Sequence, residues 1–191
     1  FLISQLVKDH CKVVLGGDGG DELFGGYEKY SRYLGFWRRF RAVPKPIREL
    51  AGTLAGAALP AGMRGRNWLQ QVATDLDTAI PLDGVHFDQR TRRLLLGHRD
   101  EHAFIAEDVW ASRVPAEQDM IQRASRMDFE NYLPEKILAK DDRAGMANSL
   151  EVRAPFLDPA VVEFAFAEVP SALKVTTARR KILLKKLASR M

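Results

Sequence analysis

Most of the chain is written in helical period. Residues 27–40 place Tyr30, Tyr33, Leu34, Trp37 and Phe40 three and four apart with arginines on the other side, which predicts an amphipathic helix. Pro44 and Pro46 end it. Residues 47–59 resume as a helix rich in small residues, and Pro60 and Gly62 stop that one ahead of a turn over 62–65. Shorter helical patterns cover 68–76 and 91–96. A longer one runs from 116 to 132, with Met120, Ile121, Ala124, Met127 and Phe129 as its apolar positions. Pro134 predicts the opening of the next helix, from about Glu135 to Asn148. Asp158 followed by Pro159 is an N-cap with a first-turn proline, so a helix is expected over 159–167, and 178–188 closes the chain as a basic amphipathic helix. The exception to this period is Lys12-Val13-Val14-Leu15, an apolar β-type run that predicts one short strand at Val13 to Leu15. No repeat period and no low-complexity linker interrupts the pattern.

A lone strand is not stable in water, so its sheet neighbours are expected upstream of Phe1. A first residue other than Met and a terminal helix without a stop signal point the same way, to a piece of a longer protein. Among 191 residues, 46% are hydrophobic and 28% charged, a globular balance that argues against disorder and collagen-like repeats. The net charge of +4 is too small by itself to imply nucleic acid. A single cysteine, Cys11, excludes an internal disulfide and any metal site built on two thiolates, and its place before the strand suits a small buried hydrophobe. No apolar run approaches the roughly 20 residues of a membrane span, and no signal peptide opens the chain; a cytoplasmic soluble protein is expected.

The strand leads into Gly16-Gly17-Asp18-Gly19-Gly20-Asp21-Glu22-Leu23-Phe24-Gly25-Gly26-Tyr27. Glycines there let a ligand approach main-chain N–H groups, and loops at strand ends of open α/β sheets are where ligands bind. The carboxylates would repel a bare phosphate, so a nucleotide would need Mg²⁺ between them. The same residues also fit a tight acidic surface turn. Three generic motifs fail: Gly20 is followed by Asp21 rather than the Lys of a Walker loop, Gly20 occupies a ligand position of an EF-hand, and a dinucleotide fingerprint should lead straight into a helix, whereas Asp21-Glu22 stand at its entry. Further on, Lys140, Asp141, Asp142 and Arg143 crowd four charges into one helical turn, a pattern equally suited to a solvated face.

Taken together, the two segments resemble the synthetase domain of glutamine-dependent asparagine synthetases of the class B type. The first matches that family's strand and loop ending in Asp-Glu-Leu-Phe-Gly-Gly-Tyr. The second, Leu133-Pro134 through Asp158, matches its Leu-Pro…Leu-x-Lys-x-Asp-Arg…Met-Ala-x-Ser-Leu-Glu-Val-Arg-x-Pro-Phe-Leu-Asp signature, and Pro170 to Lys174 and Lys181-Ile182-Leu183-Leu184 fit the continuation. The resemblance implies an α/β parent fold, adenine nucleotide alpha hydrolase-like with a Rossmann-like parallel sheet, of which this chain is a mostly α-helical part with a short N-terminal strand. It implies an enzyme that adenylates the side-chain carboxylate of aspartate with Mg-ATP, releases pyrophosphate, and lets ammonia drawn from glutamine displace AMP to give asparagine. The family's glutaminase domain and its Ser-Gly-Gly-x-Asp-Ser pyrophosphate loop have no match here, so residues 1–191 are expected to be the C-terminal portion of the synthetase domain, inactive alone, and a homodimer is one expectation for the full-length protein.

By resemblance, Gly16 and Gly17 fall where backbone contacts AMP. Asp18 falls at an acidic position, often Glu, that serves aspartyl-AMP formation and handles the proton from ammonia. Asp21 falls at a position that binds Mg²⁺ and pyrophosphate, Glu22 at one that orders the loop, and Arg143 at a cationic position that meets the phosphates. Two departures stand out. Gly16 replaces a common Ser, and Asp18 is one methylene shorter than Glu, a change of about 1.5 Å in reach. Either fits a relative that closes another amide bond, as in antibiotic or surface-polysaccharide pathways.

Other features carry less. His98 and His102 share a helical face, as metal ligands or as solvated residues. Eight basic residues against one Glu between Arg32 and Arg66, interleaved with aromatics, suit a solvated face or a nucleic-acid surface, and neither nucleic acid nor membrane is the expected partner. A non-enzymatic helical binding module is the reading of a different class; it leaves Asp18, Asp21 and Arg143 with no reason to lie near one another.

Overall fold

The computed structural model describes residues 1–60, 63, 65–73, 113, 115 and 119–191. The expected helix at 91–96 and the His98/His102 pair lie outside the described residues. The helices predicted at 68–76 and 116–132, and the turn at 62–65, are described only in part.

In order, the elements are helix α1 (Leu2–Val7), strand β1 (Val13–Leu15), and helices α2 (Gly20–Phe24), α3 (Glu28–Phe40), α4 (Lys45–Ala58), α5 (Arg66–Ala73) and α6 (Met120–Met127). A π-helical segment (Asp128–Leu138) joins α6 to α7 (Ala139–Met146); strand β2 (Glu151–Arg153), a 3₁₀ turn (Pro155–Leu157), α8 (Pro159–Ala167), α9 (Ser171–Lys174) and α10 (Ile182–Ala188) complete the series. The protein is mostly helical with a parallel two-stranded sheet. No helix among the described residues is long and apolar enough to cross a membrane.

Two sequence expectations need correction. The neighbour of β1 lies within the chain: β1 pairs in parallel with β2 in the register Val13↔Glu151, Val14↔Val152, Leu15↔Arg153. Three residues, with charges at both ends, are too short to show strand alternation in the sequence. Pro134, for its part, does not open a helix; it sits inside the π segment. An α-helix rejects an internal proline because the ring meets the carbonyl four residues back, whereas the wider π turn shifts that carbonyl and already breaks the α ladder. Elsewhere the pattern serves well. Helix α8 spans the expected residues, and the Asp158 carboxylate accepts from the Ala160 N–H at 2.9 Å. Helix α10 is shorter than 178–188, and Cys11 is only half-buried, its thiol 3.9 Å from the Val7 carbonyl.

The described chain divides into two compact units, residues 1–34 with 124–191, and residues 35–123. In the second, α4 turns its small face inward, with Gly52 and Ala55 buried, and leaves Ile47, Leu50 and Leu54 exposed. The core of the first is Leu23, Phe24, Ala165 and Val169, with Phe129, Phe156, Val161, Val162, Phe166, Leu173, Leu183 and Leu184 packed around them. Leu23 and Phe24 belong to the short α2, so the acidic loop that precedes it is pinned directly to this core.

A polar network fixes the same helix to α6 and α3. The buried Glu22 carboxylate accepts from the Tyr27 hydroxyl at 2.6 Å, and the Ser125 hydroxyl donates to the Glu22 carbonyl. Close by, the Tyr30 hydroxyl donates to Asp128 at 2.6 Å and Lys29 pairs with the other oxygen of Asp128 at 2.7 Å. The Lys29 ammonium also lies 5.4, 5.9 and 5.7 Å from the ring centres of Tyr27, Tyr30 and Tyr132. Burial raises the Glu22 carboxyl above its ordinary range despite the Tyr27 hydrogen bond, and burial with the adjoining carboxylates raises both tyrosines.

An acid whose folded pKa is raised costs stability when ionised. For Glu22 the penalty is absent below the unfolded carboxyl pKa and complete above the folded one. Glu22→Gln, which keeps the acceptor for Tyr27, should therefore raise the melting temperature more at pH 8 than at pH 4, and equal shifts at the two pH values in a calorimetric series would contradict this. Removing the α8 cap with Asp158→Ala should cost about 1 kcal/mol, read from the urea midpoint at unchanged m-value.

Candidate functional site

The site begins where β1 stops. The Gly16 N–H continues the parallel ladder by donating to the Arg153 carbonyl at 2.7 Å, and the Glu151 N–H donates to the Lys12 carbonyl at 2.9 Å. This pairing holds the mouth of the glycine loop beside the end of β2. The loop then turns sharply, the Gly20 N–H reaching the Gly17 carbonyl at 3.2 Å, and Gly19 adopts φ +85°, a left-handed conformation that a side chain would strain. A Cβ on Gly19 would also stand 2.4 Å from Leu157, so the backbone lies flush on the 3₁₀ turn. Gly17, by contrast, is exposed with open space around the position of a Cβ.

Asp18 folds back over the loop. A Cβ on Gly16 would come within 2.8 Å of its Oδ2, the movable end of that side chain, and 3.2 Å of Val152 Cγ1. That carboxyl has Asp141 of α7 as a charged neighbour. Burial, then the Asp141 charge and hydrogen bond, raise its pKa, and Lys140 draws it down in part. Lys140 in turn pairs with Asp141 at 3.1 Å. The loop thus meets the charged helical turn that follows it by more than 120 residues.

Asp21 stands apart from this contact. It is partly exposed and pairs with Lys181, just before α10, at 2.6 Å. Arg143 is exposed, and among the described residues it makes no ion pair with either loop carboxylate. Two positions beyond Asp141, it points about 200° round the helix from it, but it lies one turn from Lys140 on the same solvent-facing side. The structure therefore brings Gly16, Gly17 and Asp18 together with Lys140 and Asp141, gives Asp21 a different cation in Lys181, and leaves Arg143 at the margin.

The sequence reading passed over the contributions of Tyr27, Tyr30, Ser125 and Asp128. Asp128 carried a visible signal, a lone carboxylate between Met127 and Phe129 in an apolar helical run. Tyr27 carried none, since its five-residue distance from Glu22 belongs to no regular period. Asp141 was legible only as one of four crowded charges.

Comparison with known proteins bears on the family of the chain. The asparagine synthase family matches the chain over residues 1–191. A Mycobacterium tuberculosis protein named "Putative asparagine synthetase (glutamine-hydrolyzing)" is 36% identical over 189 residues, covering 97% of this chain and 28% of its own length. A Mycobacterium bovis protein of the same name gives the same values. A Bacillus subtilis protein named "Asparagine synthetase (glutamine-hydrolyzing) 1" is 31% identical over 190 residues, 98% of this chain and 29% of its own. No solved structure matches. The chain spans between a quarter and a third of the length of these relatives, and it belongs to the asparagine synthase family.

Proposed function

We propose that this chain forms the C-terminal part of the synthetase domain of an ATP-dependent amide ligase, one that adenylates the side-chain carboxylate of aspartate and transfers ammonia from glutamine to give asparagine, AMP and pyrophosphate. The observation that carries the reading is the meeting of the glycine loop with Lys140 and Asp141, joined through strand pairing across more than 120 residues. A solvated charged face gives no cause for such a convergence, whereas an adenylation site does. The two strands fit the edge of a larger parallel sheet of the adenine nucleotide alpha hydrolase type.

Within this reading, the open backbone at Gly17, with Gly16 beside it, receives the AMP portion of ATP. Asp18 is the acidic group beside the reacting carboxyl. Lys140 and Arg143, one turn apart on the exposed side of α7, are cations for the phosphates, and Lys181 adds a third next to Asp21. The partly exposed Asp21 offers only hard oxygen donors, a fit for Mg²⁺, which it would hold with the pyrophosphate part of ATP. When bound, Mg²⁺ supplies charge neutralisation on the transferring phosphates. Lys181 pairs with Asp21 Oδ1, so a metal ion would have to share or displace that partner.

The joint change at positions 16 and 18 favours a second version of the same chemistry, with a carboxylate other than aspartate as the group adenylated. Pyrophosphate release with a panel of carboxylic acids, each with ATP, Mg²⁺ and ammonia, separates the two. In the full-length protein, Asp21→Asn should lower kcat for pyrophosphate release by well over about tenfold, while Glu163→Gln, on an exposed part of α8, should leave it near wild type. An Asp21→Asn enzyme that releases pyrophosphate normally would remove Asp21 from the site, and a wild-type protein inert with every acid would defeat the ligase reading.

A further inference from the structure

Lys181 is held in a conformation that its own backbone resists. Its φ of 51° is left-handed, the region that suits glycine, and among the described residues only Ser149 shares it outside the glycines. The approach to it is tightly built. The Thr176 hydroxyl accepts from the Ala178 and Arg179 N–H groups at 3.3 and 3.0 Å, and the Thr176 N–H donates to the Arg179 carbonyl at 2.8 Å. The Ser31 hydroxyl, from α3, donates to the Thr176 carbonyl at 2.8 Å. On the other side, the Gly25–Gly26 turn is bare where Lys181 crosses it. A Cβ on Gly25 would stand 3.1 Å from Val175 Cβ, and one on Gly26 would overlap the Asp21 carboxylate and come within 2.5 Å of Lys181 Cε. All of this serves one ion pair, Lys181 Nζ to Asp21 Oδ1 at 2.6 Å, with the two side chains 36% and 40% exposed. A pair so exposed adds little to stability, and the left-handed backbone at Lys181 takes some away. Folding alone gives no account of it.

We propose that Lys181 is a positioning residue that keeps the Asp21 carboxylate closed to a divalent cation until a polyphosphate arrives. The proposal rests on the reading of Asp21 as the acid for Mg²⁺ and pyrophosphate, and adds to it the order in which they enter. The ammonium stands at Oδ1, an oxygen that a metal ion would use, and two cations on one carboxylate oxygen repel each other. Lys181 must therefore be displaced by a metal ion that comes alone. Asp21 also has little help in holding such an ion, since among the described residues no group of three or more His, Cys, Asp or Glu side chains could do so. Beside a polyphosphate, Lys181 has a second anion within reach of its flexible four-carbon stem. Asp21 is then freed for the metal without leaving the ammonium unpartnered. Linkage makes the effect reciprocal: the factor that polyphosphate adds to metal affinity is the factor that metal adds to polyphosphate affinity. Lys181 thus makes one binding event of two, and Gly26 is the residue whose missing side chain lets it reach Asp21.

Metal binding by the full-length protein, without turnover, decides it, with Mn²⁺ in place of Mg²⁺ and electron paramagnetic resonance reading the free ion. Binding that Asp21→Asn removes is the quantity compared. With Mn²⁺ alone, Lys181→Met and Lys181→Gly should bind about threefold tighter than wild type, or more. The glycine variant relieves the left-handed backbone and so keeps the result clear of a folding loss. Lys181→Arg, which keeps a cation at that place, and Lys185→Met, which removes an exposed charge one turn away, should stay near wild type. The factor by which pyrophosphate strengthens Mn²⁺ binding should fall about threefold or more in Lys181→Met. A merely structural ion pair would leave that factor unchanged. Equal Mn²⁺ affinity in wild type and Lys181→Met, with measurable binding or with none, overturns the proposal, and so does an undiminished pyrophosphate factor. Mn²⁺–pyrophosphate binding that survives Asp21→Asn unchanged would defeat the reading of Asp21 itself, and this inference with it.

Discussion

The parallel pairing of Val13–Leu15 with Glu151–Arg153 is the constraint on which the candidate site depends. It is small, three residues on each strand, and its ladder is extended at both ends by the Gly16 and Glu151 backbone N–H groups. A parallel pair requires a long crossover, and here that crossover includes all the helices from α2 to α7. Once the register is set, the glycine loop leaves one strand beside the other, and α7, which enters β2 through a four-residue connection, presents its first turn to that loop. Slipping the register by one residue would turn Val14 and Val152 outward and carry Asp18 away from Asp141.

The loop is held from below as well as from the side. Leu23 and Phe24 anchor α2 in the core, and Glu22 lies buried between them and the acidic loop. Burying a carboxyl is unfavourable unless its oxygens are hydrogen-bonded. Tyr27 donates to the Glu22 carboxyl, Ser125 donates to the Glu22 main-chain carbonyl, and Tyr30 and Lys29 serve the Asp128 carboxylate in the same way. The π segment, which begins at Asp128, keeps the helix continuous through Pro134, so that α7 starts from a fixed direction rather than from a loose hinge. Rigid placement of this kind is what positional catalysis needs from a scaffold.

The acidic residues of the loop have different electrostatic surroundings despite being three residues apart. Asp21 is partly exposed and paired with Lys181. Asp18 is partly buried and faces another carboxyl, an arrangement suited to holding a proton. One loop therefore presents a carboxylate paired with a lysine and a carboxyl that has another carboxyl as neighbour. Gly16 lies beside the same carboxyl, a Cβ there coming within 2.8 Å of Asp18 Oδ2.

The sequence by itself determined the elements whose information is local. Helical period placed α3, α4 and α6 within a few residues, Asp158 and Pro159 placed α8, and the run Val13-Val14-Leu15 with its glycines placed β1 and the loop. The two long motifs determined the family and named Asp18, Asp21 and the charged turn as the groups to watch. Tertiary structure decided everything that depends on meeting across the chain. β2 is too short and too charged to declare itself as a strand before β1 pairs with it. Pro134 reads as a helix start until packing carries the helix through it in a wider turn. Asp141, rather than Arg143, came to face Asp18 because a helix separates neighbours in sequence by 100° per residue, and which side of that helix meets the loop is set by the strand register alone.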